Sequence, residues 1–243
     1  MSETWGKGTL NNTIGWGQGA CDNTINWGKS QKDSSVAASW SGDTDISGCS
    51  GAAGLAQIDN LNSMSFDGAS DFLTISNPIS LPADFTWSAW IYPTRVDDSY
   101  EMIYTQGDGT VPAYFAVQDT KLHVYITGIY QTNLGFINAN EWQHVAVTRT
   151  SGVLNLYKNG VEYNGNRPTK NGTVNNNSDG VIGKWYNSSH YFKGNIDEVG
   201  IFNVALTEAE ILSIYNATAV VGGVNKTADL SQLTTPPVAW YRM

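Results

Sequence analysis

The stretch Trp142-Gln143-His144-Val145-Ala146-Val147-Thr148-Arg149-Thr150-Ser151-Gly152-Val153-Leu154-Asn155-Leu156-Tyr157-Lys158-Asn159-Gly160 decides the fold of this chain. It holds two runs of β character, Trp142 to Thr150 and Val153 to Lys158, parted by Ser151-Gly152 and closed by Asn159-Gly160. Asn-Gly after such a run supplies the two positive-φ positions of a type I′ turn, which reverses a strand tightly. Upstream, Phe85-Thr86-Trp87-Ser88-Ala89-Trp90-Ile91-Tyr92 alternates, so Phe85, Trp87, Ala89 and Ile91 share one face. Pro93 stops that run. Glu101 to Gln106, Ala113 to Asp119 and Lys121 to Thr127 follow at short spacing. Regular strands with turns of this kind predict a sandwich or jelly roll. One helix stands out after the run Ile196 to Phe202. Thr207-Glu208-Ala209-Glu210 is a capping box, and Ile211, Leu212 and Tyr215 supply an apolar stripe about two turns long.

Composition agrees with this reading. Of 243 residues, 14% are charged and 12% aromatic, with 25 Gly; soluble domains usually carry about 25% charge. The missing charge has gone to Gly, Asn, Ser and Thr, which favour turns and strands and weaken helices. A long-helix protein is thereby excluded, and so is disorder, because nine Trp, twelve Tyr and seven Phe need burial. The net charge of −9 argues against nucleic acid and against an anionic membrane surface as partners. No stretch approaches the roughly 18 apolar residues of a membrane span. Met1-Ser2-Glu3-Thr4-Trp5 has neither the basic nor the apolar region of a signal peptide, so synthesis and folding in a cytoplasm are expected. Cys21 and Cys49 fit no metal motif, and in that compartment reduced thiols are expected over a disulfide.

Three segments follow. Residues 1–60 form a Gly/Asn/Trp-rich extended arm in which Asn12-Thr13-Ile14-Gly15-Trp16-Gly17 recurs as Asn23-Thr24-Ile25-Asn26-Trp27-Gly28, with Trp5, Trp16 and Trp27 eleven residues apart. Two strand-like copies are too few to close a core. Trp5, Trp16, Trp27 and Trp40 therefore pack on the protein's own domain or dock onto a partner or symmetry mate, since interface cores are aromatic and poor in charge. Residues 61–216 are the expected sandwich: all-β, two antiparallel sheets, one short helix near the end. Residues 217–243 read as a linker from Gly222-Gly223 to the bulky strand Val238-Ala239-Trp240-Tyr241. A terminal strand of that kind must pair with a sheet or another chain.

These residues resemble a known family. Ser65-Phe66-Asp67-Gly68-Ala69-Ser70-Asp71-Phe72, Phe85 to Ile91, Glu141 to Thr148, Leu156-Tyr157-Lys158-Asn159-Gly160 and Phe192 to Ile211 occur in the order expected of the laminin G-like and pentraxin-like jelly rolls of the concanavalin A-like lectin/glucanase fold. The likeness spans roughly two-thirds of the chain. It departs from the family at one point. The strand that usually precedes the Phe-Asp-Gly motif is absent between residues 40 and 60, and Val238-Ala239-Trp240-Tyr241 resembles it instead. That strand either completes the sandwich, in cis or in a neighbouring subunit, or begins a second, truncated module. The Trp-Gly repeat with the element after it is similar to N-terminal segments of bacteriophage virion proteins.

Catalysis is not expected. Glycanases of this fold use clustered carboxylates on one strand, and the acid pair here, Asp197-Glu198, is consecutive, so strand alternation should point the two apart. His123, His144 and His190 lack a nucleophile context. The resemblance implies calcium as the one plausible cofactor, with Asp71 and Asp197 as candidate ligands; the alternative is that Asp71 caps a turn and Asp197 bonds backbone. Sugar binding needs exposed aromatics beside amides. Tyr130, in the loop Gly128 to Asn133, qualifies, as do Trp185, Tyr186, Asn187 and His190 in the loop Lys184 to His190; the alternative for Trp185 is a core position. The expectation is a phage structural protein (capsid decoration, head fibre or tail appendage). It would be oligomeric, bound to other virion proteins through its arm, and would carry a glycan-adhesive domain. The rival readings are a purely architectural shell protein, and a free carbohydrate-binding module or glycosidase.

Overall fold

The computed structural model describes residues 55–76, 79–107, 113–126, 129–132, 137–163, 178–187, 189–221 and 224–243. The repeats and Trp5, Trp16, Trp27 and Trp40 lie outside the described residues, as does most of the Asn-rich stretch after Tyr163. In chain order the strands are β1 (Gln57–Asp59), β2 (Met64–Asp67), β3 (Leu73–Ile75), β4 (Phe85–Pro93), β5 (Glu101–Gln106), β6 (Ala113–Gln118), β7 (Lys121–Ile126), β8 (Ile129–Thr132) and β9 (Gln143–Thr150). They continue with β10 (Val153–Lys158), β11 (Val161–Tyr163), β12 (Gly180–Ile182) and β13 (Lys193–Phe202). The helix α1 (Glu208–Asn216) is followed by β14 (Ala219–Val221), β15 (Val224–Ala228) and β16 (Ala239–Tyr241).

Two antiparallel sheets make the sandwich. One runs β3-β12-β5-β6-β7-β8; the other runs β11-β10-β9-β4-β13, with β2 and β16 sharing the far edge of β13. The alternation in β4 sorts its side chains as the sequence predicts: Phe85, Trp87, Ala89 and Ile91 are buried between the sheets. There they meet Ile103, Tyr104, Phe115, Val124, Val145, Val147, Leu156 and Ile196. Apolar burial at about 25 cal/mol per Å² makes this contiguous core the main stabilising term. The β10–β11 turn has the predicted conformation, with φ +51° at Asn159 and +78° at Gly160. Thr207 caps α1 as the capping box requires. Its backbone N–H donates to Glu210 Oε2 at 2.7 Å, and Glu210 N–H donates back to Thr207 Oγ1 at 3.2 Å.

The helix does not enter this core. Ile211 and Ile214 pack with Tyr157, Phe202, Leu206, Leu230 and Leu233 on the outer side of the seven-stranded sheet. A third sheet, β1-β15-β14, is built from residues at both ends of the described chain. Residues 217–243 thus differ from a linker: Gly222-Gly223 separates two paired strands. Val238-Ala239-Trp240-Tyr241 carries β16, which pairs in cis with Val199–Ile201 of β13. The physical reason is the open edge of β13. Strand β2 covers Lys193 to Ile196, and β16 supplies hydrogen-bond partners to the remainder.

Candidate functional site

The outer face of the six-stranded sheet carries the candidate site. In β6 and β7 the inward residues are Phe115, Val117, Leu122 and Val124, all buried. Alternation therefore turns Tyr114, His123 and Tyr125 outward. Tyr114 and Tyr125 are register partners, and their rings stack at 5.5 Å with 12° between planes. The loop after β12 brings Trp185 against Tyr114, edge to face at 5.1 Å, and Tyr186 against Trp185 at 5.0 Å. Tyr100 stands on the other flank of Tyr114 at 5.9 Å and contacts the rings of His123 and His190 at 5.7 and 5.5 Å. One connected aromatic platform results, with Trp185 half-buried and Tyr186 exposed.

The loop that presents Trp185 is held from below. Gly183 has φ +88°, and a Cβ there would lie 2.3 Å from the Phe66 ring, so no other residue fits. Gly183 N–H donates to Ile103 O at 3.2 Å, and Phe192 N–H returns to Gly183 O at 2.8 Å, closing the loop at its base. Within it, Trp185 N–H donates to Ser189 O at 3.0 Å, and Ser189 Oγ donates to Asn187 Oδ1 at 2.9 Å. Lys184 is buried, with its ammonium 3.6 Å from the centre of the Phe72 ring. Below the loop, the buried Glu101 carboxylate pairs with Arg95 and accepts Lys193 N–H at 2.6 Å. Arg95 also donates to Tyr191 O at 2.9 Å. Burial pushes the Glu101 carboxyl upward, against the opposing pull of Arg95. Removing Arg95 would leave a buried carboxylate unpaired.

Of the sequence candidates, Trp185, Tyr186, Asn187 and His190 lie together in this loop. Tyr130 sits in β8, where backbone register sets it opposite Tyr125. Tyr100, Tyr114 and Tyr125 were not among the sequence candidates. Their signal, outward positions on adjacent strands, is legible only once the β6–β7 register is known.

The other candidates behave differently. Asp71 Oδ2 accepts Asp67 N–H at 3.0 Å. The Asp67 carboxylate accepts N–H groups of Ala69, Ser70 and Asp71 and is held well below the usual range by the Ser70 and Ala69 amides above all. Asp197 Oδ1 accepts Glu198 N–H at 2.7 Å and Met243 N–H at 3.1 Å. Both calcium candidates thus direct oxygens at backbone amides. Among the described residues no three His, Cys, Asp or Glu side chains gather to hold a metal. His144 is fully buried and pushed down to about 4 by desolvation, so it is neutral near pH 7, and burial lowers His123 too.

The expectation that Asp197 and Glu198 point apart does not describe this strand. A bulge interrupts the β4–β13 register between Asp197 and Gly200, and Glu198 has φ +51°. Both carboxyls are buried. Trp240 Nε1 donates to Glu198 Oε2, and Arg242 Nε donates to Glu198 Oε1 at 3.3 Å. Burial, and secondarily the Asp197 charge, pushes Glu198 up to about 7. The pair is clasped by the C-terminal strand.

Residues 67–212 match the model of the concanavalin A-like lectin/glucanases superfamily. The chain belongs to that superfamily. Among curated proteins no sequence matches it. Its fold is similar to the heptameric SAP-like pentraxin of Limulus polyphemus, with TM-score 0.54 and 14% identity over 69% of this chain and 91% of that one. It is similar also to domain 4 of a GH43 extracellular arabinanase of Geobacillus stearothermophilus, solved with arabinotriose (TM-score 0.51, 19% identity, 65% of this chain and 79% of that one). A third is the CBM40 of a Ruminococcus gnavus sialidase bound to α2,3-sialyllactose, with TM-score 0.52 and 10% identity over 66% of this chain and 98% of that one. This lectin-like jelly roll is therefore the fold of known carbohydrate-binding domains.

Proposed function

We propose that the chain is a bacteriophage virion structural protein that displays a glycan-adhesive domain and bears no catalytic site. The adhesive surface is the aromatic platform on the six-stranded sheet. The observation that carries this reading is the continuous contact of Tyr100, Tyr114, Tyr125, Trp185 and Tyr186, with Asn187 and His190 beside them. Aromatic faces bind the apolar faces of sugar rings, and neighbouring amides select hydroxyl geometry. The virion role rests on the Trp-Gly repeats of residues 1–60 and the shortage of charge. Such an arm suits docking to other virion proteins and to symmetry-related copies of this chain. The position on the particle would be a capsid decoration, head fibre or tail appendage.

A glycan array probed with the full chain, in calcium and in EDTA, tests the adhesive half. Binding that Trp185→Ala lowers about tenfold or more, equally in both buffers, is expected. A protein that binds no glycan would be an architectural shell part, and binding lost only in EDTA would assign calcium to the site. For the virion half, removal of residues 1–46 should abolish incorporation into particles while the domain stays folded; unchanged incorporation would refute the docking role.

A further inference from the structure

A cavity of about 450 Å³ lies on the opposite side of the molecule, over the outer face of the seven-stranded sheet. Its floor follows from strand register. Trp90 lies directly opposite both His144 of β9 and Asp197 of β13. Tyr92, two residues on and thus on the same face, lies opposite Asn195. Two indoles line the cavity. Trp90 is wedged between the Tyr215 ring, stacked at 5.9 Å, and the His144 ring at 5.5 Å. Trp142 leans on Tyr92 at 5.7 Å and stays 40% exposed. Both are held before any ligand arrives, which lowers the entropy cost of binding.

Polar groups converge from the remaining walls. Asn60 and Asn62 come from the segment between β1 and β2, Lys226 from β15 and Asp197 from β13. Asn60 N–H donates to Asn225 O at 2.9 Å, and Ser63 Oγ accepts Asn195 Nδ2 at 3.0 Å, so this segment is pinned to two sheets. Lys226 is paired with Asp59. Trp90 Nε1 is buried without a hydrogen-bond partner among the described residues, and an unpaired buried donor is a group that bound water or ligand commonly satisfies. Residues 57–63 and 218–227 fall outside the stretch that matches the superfamily, 67–212. Eight of the eleven residues that line the cavity therefore lie outside the matched stretch.

We propose that this cavity is a second binding site, specific for one neutral pyranose unit of a glycan. Its volume falls in the range of about 300–1,000 Å³ typical of small-molecule sites. The exposed Trp142 ring supplies a stacking face, the amides donate to and accept from hydroxyls, and the Asp197 carboxylate accepts from them. The charge pattern disfavours acidic sugars. Asp197 faces the cavity, and Asp59 already occupies Lys226, so a sugar carboxylate would meet like charge and no free cation among the described walls. This site does not rest on the aromatic platform, because the two lie on the outer faces of different sheets.

Ligand-observed saturation-transfer NMR with the full chain tests it. The probes are the methyl glycosides of glucose, galactose and N-acetylglucosamine, with methyl glucuronide as acidic control. With the platform disabled by Trp185→Ala in every sample, at least one neutral glycoside should give a signal that Trp142→Ala weakens about tenfold and Asn62→Ala severalfold. Trp142 and Asn62 are exposed, so neither variant should shift the melting temperature, and agreement of the two guards against a folding artefact. No signal with any neutral glycoside would overturn the proposal. So would a signal that survives both cavity substitutions in the Trp185→Ala protein, or one present in the wild type and absent from Trp185→Ala, which would place the sugar on the platform. Equal binding of methyl glucuronide would overturn the neutral-sugar assignment.

Discussion

The outer faces of the two sheets obey the same alternation and end differently. On the six-stranded sheet, outward residues of β6 and β7 are tyrosines that stack on one another and on Trp185. On the seven-stranded sheet, outward residues of β9, β10 and β13 are roofed by α1, by Leu230 and Leu233, and by Ala228 of β15. The difference teaches how one sandwich makes two kinds of surface. A face left open presents rings as a flat platform. A face partly covered by extra elements presents rings as the floor of a pocket. The loop closed at Gly183 and the C-terminal strand are what hold the two arrangements in place.

Removing the C-terminal strand should separate the two faces most strongly. Deletion of residues 236–243 uncovers the β13 edge, strips the clasp from Glu198 and removes the packing of Ala239, Tyr241 and Met243 on the core. The expected loss is about 3 kcal/mol or more, a melting temperature lower by roughly 10 °C. An unchanged melting curve would mean that β16 contributes nothing to the sandwich.

Gly183→Ala should act on the platform face. The substitution strains a φ of +88° and drives a methyl into the Phe66 ring, for about 2 kcal/mol of destabilisation. Because the same backbone closes the Trp185 loop, glycan binding on the platform should fall with it, while Trp142-dependent binding persists. Equal loss at both faces would show that the sites are coupled through the core.

The smallest effect expected is a pH dependence at the clasp. Glu198 is raised from 4.5 to about 7, so the native state keeps a proton that the unfolded chain releases. The stability it contributes is complete below about pH 4.5 and is lost as pH rises through 7. Scanning calorimetry should find the wild type melting several degrees lower at pH 8 than at pH 5. Glu198→Gln should reduce that difference, with Asp197, also raised by burial, supplying the remainder. An identical pH profile in the variant would remove Glu198 from this account.

Much of the fold was legible locally. The alternation of Phe85 to Tyr92, the Asn159-Gly160 turn and the capping box at Thr207 each depend on neighbours within a few residues. The site was legible in part. Trp185, Tyr186, Asn187 and His190 are one short loop, so a cluster of aromatics and amides shows in the sequence. Tyr100, Tyr114 and Tyr125 were not legible, because their meeting depends on register across two strand pairs. The Asp197-Glu198 pair misled for the same reason: the alternation rule is local, and a bulge between two long strands overrides it.

By itself the sequence determined the class of the fold, the main strands and turns of the sandwich and the helix start. These follow from side-chain period and backbone preference, both short-range properties. The tertiary structure alone decided which sheet received the C-terminal strand, which tyrosines stack, and how residues 60–63, Thr218 and residues 225–227 close a cavity over Trp90 and Trp142. Those outcomes depend on contacts between residues far apart in the chain, and registers of that kind are set by competition for open sheet edges and buried area.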